Sequence, residues 1–379
     1  MKKIIIQIIL VFLIYGIYGI LINKLDLPMW VTRTRSSIIV YLILACIFII
    51  GNKKLLFRVP KSLYAFTFVA ILSSLINISS IDLLQAIKCS VAPLISFQLG
   101  TICANLSQNA IKGEKIFVIH WGFMVLSLIC LKELFMSPMY LSQHRDFIFS
   151  IIFFTPFFFI VPKKWTLFFS VILFILVLAS IKRSAVIGVV SFFAIYYGIT
   201  LSSSKITFKK RIIGILGILI AVIIGYLYFE NSIYSEELTT RFSNLADDGG
   251  SGRDEIYSLL FYNIITSDII SLLFGNGFDA VKSLNGYPAH NDLLEIVYDF
   301  GIIALIIWIT FLFSIVRKSI NYFKKKDYDS TAILLATFTL WQICSEMNCI
   351  IVNPCYMALI FLSLGLCNKK TSTNEKQVP

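Results

Sequence analysis

Charge is scarce in this chain. Only 14% of its 379 residues are Asp, Glu, Lys or Arg, where soluble domains run nearer a quarter. With a mean hydropathy of +0.85, that excludes an ordinary soluble globule. Histidine is scarcer still, with three in the whole protein. There is no CxxC pair, and most of the eight cysteines (Cys46, Cys103, Cys130 and Cys367 among them) lie inside apolar runs, so neither a metal site nor a disulfide framework follows. A disulfide among Cys344, Cys349 and Cys355, near one expected membrane edge, is the minor reading. No Walker sequence exists, which leaves an ATP-driven pump without support. Gly275-Asn276-Gly277 lacks the third glycine and the βαβ setting of a dinucleotide fingerprint. No run alternates as an outer-membrane strand does, so the expected class is helical. The first apolar run ends in Ile20-Leu21-Ile22-Asn23, without the small-residue pair of a cleavage site, and is read as a retained span. No internal repeat is evident.

What the chain does have is long apolar runs. The fold expected is an all-α polytopic membrane protein, one membrane domain over 1–379 with about twelve transmembrane helices and one long folded extracytoplasmic loop. The proposed spans are Ile4–Ile22, Ser37–Ile50, Ser62–Ile78, Leu83–Leu106, Ile116–Leu131, Phe147–Val161, Trp165–Ser180, Ser184–Leu201, Ile212–Tyr228, His290–Ile315, Thr331–Ile343 and Met357–Cys367. The net charge of +12 would suggest nucleic acid in a soluble protein. Here the basic residues cluster in short loops. With both termini in the cytoplasm and strict alternation, 22 Lys and Arg fall on the cytoplasmic side, 10 fall opposite, and Lys88 is left inside a span. That is the positive-inside bias.

The same alternation places 230–289, between spans nine and ten, outside the cytoplasm. The segment carries nine acids against Arg241, Arg253 and Lys282. Two features suggest that it folds. Asp254 to Ser267 has a helical pattern with Ile256, Leu259, Leu260 and Ile264 on one face. Leu272-Leu273-Phe274-Gly275-Asn276-Gly277 reads as a buried segment followed by a Gly-rich turn. Asp247-Asp248-Gly249-Gly250-Ser251-Gly252 reads as a hinge before the helix.

The loop ends in His290-Asn291, where water meets the next apolar run. As a helical start, His290 would share a face with Leu294, Val297 and Gly301, while Asp292, Glu295 and Asp299 line another. Such a histidine is either a cap at the membrane edge or a base that titrates near neutral pH. Acids at membrane depth are costly and usually mark a wet cavity or a function. Lys182 and Arg183 raise a second question. A single helix from Trp165 to Leu201 is too long for one crossing, so the chain must turn at this pair, on the side the charge bias disfavours. Snorkelling and anion binding both account for it. Arg253 and Arg241 can pair locally, Arg253 with Asp254 or Glu255 and Arg241 with Glu237, or can grip a phosphate with their planar forks. His120 and His144-Arg145-Asp146 read as interfacial solvation. Phe153 to Phe159, with Pro156 inside, reads as a kinked lipid-facing or packing helix.

Several of these residues also form an ordered set. Lys182-Arg183-Ser184 forms a basic turn between spans. Ser251-Gly252-Arg253 precedes a helix, and Leu273-Phe274-Gly275-Asn276-Gly277-Phe278 follows. Then come His290-Asn291, nine residues and Gly301, the last closing Asp299-Phe300-Gly301. The set, on the expected side of the membrane, resembles the signature of the O-antigen polymerase and O-antigen ligase superfamily. It departs at Ala304, where the signature has Gly, Thr or Tyr. The likeness covers about Trp165 to Ile315; elsewhere only hydropathy and topology agree.

The resemblance implies a metal-independent, inverting glycosyltransferase of the bacterial inner membrane that needs no cofactor. Its donor and acceptor would be undecaprenyl-diphosphate-linked oligosaccharides in the bilayer, with a chain-length regulator as a further expected partner. Arg253, Arg183, Arg241 and Lys182 would hold the diphosphate, and His290 would be the catalytic base, supported by Asn291 and Asp299. The Lys-Arg-Ser turn and the departure at Ala304 favour a polymerase of repeat units. The alternatives are a ligase that transfers the finished chain to lipid A–core and a flippase for the same lipids, which twelve spans would also suit.

Overall fold

A computed structural model describes residues 59–77, 83–107, 147–159, 166–202 and 249–368, except Phe154 and Ile181, with isolated positions in 42–49 and Leu227. The expected spans Ile4–Ile22 and Ile116–Leu131, and most of Ser37–Ile50 and Ile212–Tyr228, lie outside the described residues. So do Arg241, Asp247, Asp248, His120 and His144 to Asp146.

Every described element is helical. In chain order the helices are α1 (Lys61–Ile76), α2 (Leu83–Ser107), α3 (Phe147–Ile152), α4 (Pro156–Phe159), α5 (Thr166–Ala179) and α6 (Arg183–Ser202). They continue with α7 (Gly249–Thr266), α8 (Ile269–Phe274), α9 (Ala280–Asn285), α10 (Asp292–Lys324), α11 (Tyr328–Met347) and α12 (Pro354–Leu366). Three helices, α2, α6 and α10, are long and apolar enough to cross a membrane, and α1 and α12 are shorter apolar helices.

Local chemistry explains the ends. Asn353 caps α12 by accepting from Cys355 and Tyr356 backbone N–H groups, and Pro354 occupies the first turn, where its missing N–H costs nothing. Asp327 caps α11 through the Ser330 N–H at 3.2 Å. The expected turn at Lys182-Arg183 is present: α5 stops at Ala179 and α6 begins at Arg183. The Phe153–Phe159 stretch is broken, with α3 ending at Ile152 and α4 starting at Pro156, whose ring cannot continue a helix from upstream. Phe153 and Phe159 are buried. Phe153 meets Tyr356, and Phe159 lies edge-on to Tyr196 at 4.3 Å.

The core lies between α1, α2, α10, α11 and α12. Trp308 sits 4.4 Å from Phe66 and 5.6 Å from Trp341, measured between ring centroids, and Phe311 stacks on Phe361. The tightest helix pair is α2 with α12. A Cβ on Gly365 would strike Phe97 O, and one on Gly100 would strike Leu362 O. Lipid offers apolar side chains no hydrophobic gain over one another, so backbone-to-backbone approach at small residues supplies the cohesion between such helices.

Hydrogen bonds fix the direction of each helix. At one end of the bundle, Ser73 in the last turn of α1 donates to Asp299 O, and Asn77 donates to Gly275 O. At the same end Cys89, early in α2, meets Val352 O just before α12, and Asn348 after α11 donates to Ser184 at the start of α6. At the other end Tyr322 donates to Cys367 O and Asn368 donates to Thr101. Thus α1 and α11 finish, and α2, α6, α10 and α12 begin, at one common end. These are the directions that alternate crossing assigns to them.

Candidate functional site

The common end is where the loop helices dock. Helix α7 begins at Gly249, so Gly249 to Gly252 form its first turn. The expectation of a hinge there is overturned: the first turn needs no intrahelical N–H partners, and glycine is least costly at a helix start. The inner face of α7 carries Ile256 and the fully buried Leu260, which pack with Val281, Ala289, Leu294 and Tyr298. Helix α8 is capped by Asp268, whose carboxylate accepts from the Ile270 and Ser271 N–H groups at 2.8 and 3.0 Å. These bonds hold that carboxyl below its ordinary value.

Helix α10 differs from the expectation at its start. His290 does not open it. Asn291 is the N-cap, accepting from Leu294 N at 3.0 Å, and the helix begins at Asp292. His290 lies outside in the left-handed region with φ 55. The face expected to join His290 to Leu294, Val297 and Gly301 therefore does not form. The reason is the asparagine, whose short amide reaches the first-turn N–H groups only from an extended backbone. The helix also breaks at Gly301, with φ 83 and ψ 173, and continues to Lys324, beyond the expected Ile315.

The three acids are all buried, and each holds a loop. Asp292 Oδ1 accepts from the N–H groups of Ile350 and Ile351 at 2.7 and 3.0 Å. Glu295 Oε2 accepts from Ala289 N at 2.7 Å. Asp299 accepts from Asp279 N and Val281 N at 2.9 and 3.1 Å. The acids expected to mark a wet cavity or a function thus each hold backbone donors, while Asp292 Oδ2 and Glu295 Oε1 are buried without a hydrogen-bond partner. Asp299, expected to support the site, fixes the start of α9. Glu295 fixes the residue next to His290.

Asn291 has the most connected position. Its Nδ2 donates to Glu346 Oε2 at 2.7 Å, at the end of α11. Near it lies Tyr257, one turn beyond Arg253 on α7. Burial pushes the Tyr257 phenol above its ordinary value; Glu346 and Asp254 add to this, while the nearby Arg253 guanidinium and the Asn291 side chain oppose it. Arg253 is half-buried, and no ion pair among the described residues joins it to Asp254 or Glu255. Past Glu346 the chain reaches Asn348, whose Nδ2 lies 2.6 Å from Ser184 Oγ, beside Arg183. Arg253 and Tyr257 on α7, Asn291 and the end of α11 thus lie near one another, and Asn348 ties that end of α11 to the start of α6 at the Lys182-Arg183 turn, with His290 adjoining Asn291. Lys182 and Arg183 are both half-buried.

Sequence reasoning passed over Tyr257 and Glu346. Tyr257 follows Arg253 by four residues, the spacing that stacks side chains on a helix. That spacing was a readable signal. Glu346, an acid at the end of an apolar run, was a weaker one. Cys344, Cys349 and Cys355 are free thiols, so the minor disulfide reading is set aside. Among the described residues no group of three or more His, Cys, Asp or Glu is placed to hold a metal ion.

No protein-family model matches this chain, and no curated protein matches it.

Proposed function

We propose that this protein is an integral-membrane glycosyltransferase that polymerises oligosaccharide units carried on undecaprenyl diphosphate, at the outer face of a bacterial inner membrane. The observation that supports this most is the position of the Arg253 helix, the His290-Asn291 corner and the Lys182-Arg183 turn at one end of the bundle, tied there through α11. Three segments far apart in sequence carry the expected cations and base, and all three lie at that end. The directions of the described helices, and an orientation with both termini cytoplasmic, fit twelve crossings.

The chemistry asks little of the protein. A lipid-linked diphosphate is already a leaving group. Arg253, Arg183 and Lys182 stabilise the charge that develops as the anomeric C–O bond to phosphate breaks. Arg241, outside the described residues, belongs to the same proposed clamp. The acceptor hydroxyl oxygen attacks the anomeric carbon from the opposite side, with inversion. Its proton passes to His290. Asn291 sets the position of that corner through Glu346. Asp299 acts at longer range, by fixing the loop.

Purified protein supplied with lipid-linked repeat units alone tests the reading. A ladder of lengthening products is expected. Product only after addition of lipid A–core makes it a ligase. Movement of the intact lipid between leaflets without any new glycosidic bond makes it a transporter, and the proposal fails.

A further inference from the structure

The outer face of the loop helices is apolar where an exposed helix should be polar. Helix α7 buries Ile256 and Leu260 against the body of the protein, yet its opposite face changes character along its length. The first turns show Asp254, Glu255 and Ser258 to solvent. The last turns show Phe261, Tyr262 (68% exposed) and Ile265 (79%). Helix α8 continues the patch with Ile269 (75%) and Ile270. A helix end that is apolar on both faces has a second apolar neighbour. A contiguous patch of this kind marks an interaction surface.

Its position says what covers it. Helix α8 packs on α10 and α1, and Asn77 at the end of α1 donates to Gly275 O just after α8. Helix α1 ends in exposed Leu75 and Ile76 and shows Phe68 lower down. On α10 the exposed residues Ile302, Ile306, Ile309 and Phe313 form one stripe at helical spacing. These are the faces that a spanning helix turns to lipid. The α7–α8 patch therefore adjoins the lipid-facing surface at its outer margin. Tyr262 carries a hydroxyl on an apolar ring, the type enriched at that depth. The acidic start of α7 lies at the other end of the helix, away from this margin.

We infer that the Phe261–Ile270 corner of α7 and α8 is embedded in the interfacial region of the bilayer leaflet on its side, so that the loop rides on lipid with its acidic end held over the His290-Asn291 corner. The inference rests on the membrane reading and is independent of sugar transfer.

Photocrosslinking in the full chain tests it. p-Benzoylphenylalanine is placed singly at Tyr262, Ile265 or Ile269, with Phe313 as a lipid-facing reference and Asp254 as a solvent-facing one. The protein is reconstituted, one copy per disc, in discs of phosphatidylethanolamine and phosphatidylglycerol. Phospholipid adducts at all three positions, comparable to Phe313 and absent at Asp254, are expected. The double change Ile265→Asp with Ile269→Asp should abolish the adduct at Tyr262 while Phe313 still reacts. Adducts at Phe313 alone overturn the inference. A crosslinked dimer from these positions in membranes, without lipid adduct, also overturns it and makes the patch a contact between copies. Lipid adducts from a protein that makes no polymer would leave this inference standing and sink the proposed function.

Discussion

Gly275 and Gly301 lie back to back. A Cβ on Gly275 would run into the backbone of Asp299 and Phe300, and a Cβ on Gly301 into the backbone of Leu273 and Phe274. Both have positive φ, 79 and 83. The Gly-rich turn after α8 and the break in α10 are therefore one feature. The break frees backbone groups of α10 to receive the turn: Asn276 N donates to Tyr298 O, and Gly277 N donates to Asp299 O, which also accepts from Ser73. This lock sets the height of the loop over the bundle.

Alanine at either glycine should break the lock. Strained φ alone costs on the order of 1–3 kcal/mol, and the backbone overlap adds to it. Gly301→Ala and Gly275→Ala should each lower the unfolding temperature in detergent and expose the 269–290 segment to protease. Gly286→Ala is the control. It has φ 79 but open space around the added methyl, so it carries the conformational strain without the overlap and should lose less.

Asp292 offers a cleaner test of what a buried acid does at this end. Its Oδ1 serves two backbone donors, and Asn would keep that oxygen. Asp292→Asn should therefore fold nearly as well as the native chain. Asp292→Ala leaves the Ile350 and Ile351 N–H groups buried without an acceptor, at about 1–3 kcal/mol for each unsatisfied group. Hydrogen exchange at these two amides reads the difference: it should stay slow in the first variant and become fast in the second. Equal destabilisation by both would mean that the carboxylate charge, not the acceptor, holds the loop.

Much of this was legible in the sequence, and the parts that were not share a cause. Helices α1, α2, α5, α6, α11 and α12 follow from apolar runs, charge at their ends and the Lys182-Arg183 interruption. Those signals are local. The break at Gly301 was not readable as a break, because a lone glycine in an apolar run is tolerated as often as it bends the chain; the backbone that fills the space beside it is that of Leu273, 28 residues upstream. Asp292, Glu295 and Asp299 look like a functional stripe by spacing alone. Their donors come from elsewhere: Ile350 from the turn before α12, Ala289 from the residue before His290 and Val281 from the first turn of α9. That the segments carrying Arg253, His290 and Arg183 lie at one end of the bundle was expected only through a family likeness, and the links there, Asn291–Glu346 and Asn348–Ser184, carried no pattern in one sequence.

The Asn291–Glu346 link should behave as a coupled pair. Asn291→Asp keeps the cap on Leu294 N but sets a second carboxylate 2.7 Å from where Glu346 Oε2 lies. Repulsion should destabilise this variant. Adding Glu346→Gln supplies an amide donor and should restore most of the loss. The double-mutant cycle should show a coupling of about 0.5–3 kcal/mol. Additive effects would separate the two residues and remove α11 from the corner that carries His290.

His290 separates fold from chemistry. Its φ of 55 suits asparagine and glycine better than most residues. His290→Asn should therefore fold at least as well as the native protein, because an asparagine is readily accommodated in the left-handed region. Its amide cannot take a proton at neutral pH, so product formation should be abolished while lipid-linked donor still binds. His290→Gln should also be inactive, with somewhat lower stability. Arg253→Lys completes the comparison. It keeps the charge beside Tyr257 but loses the planar fork. Donor affinity should fall in Arg253→Lys and stay near normal in His290→Asn, as measured by titration with the lipid-linked diphosphate. If His290→Asn made polymer at the native rate, the histidine would be a strained residue at the end of a loop and nothing more. The clamp would then have to act on the leaving group without a base.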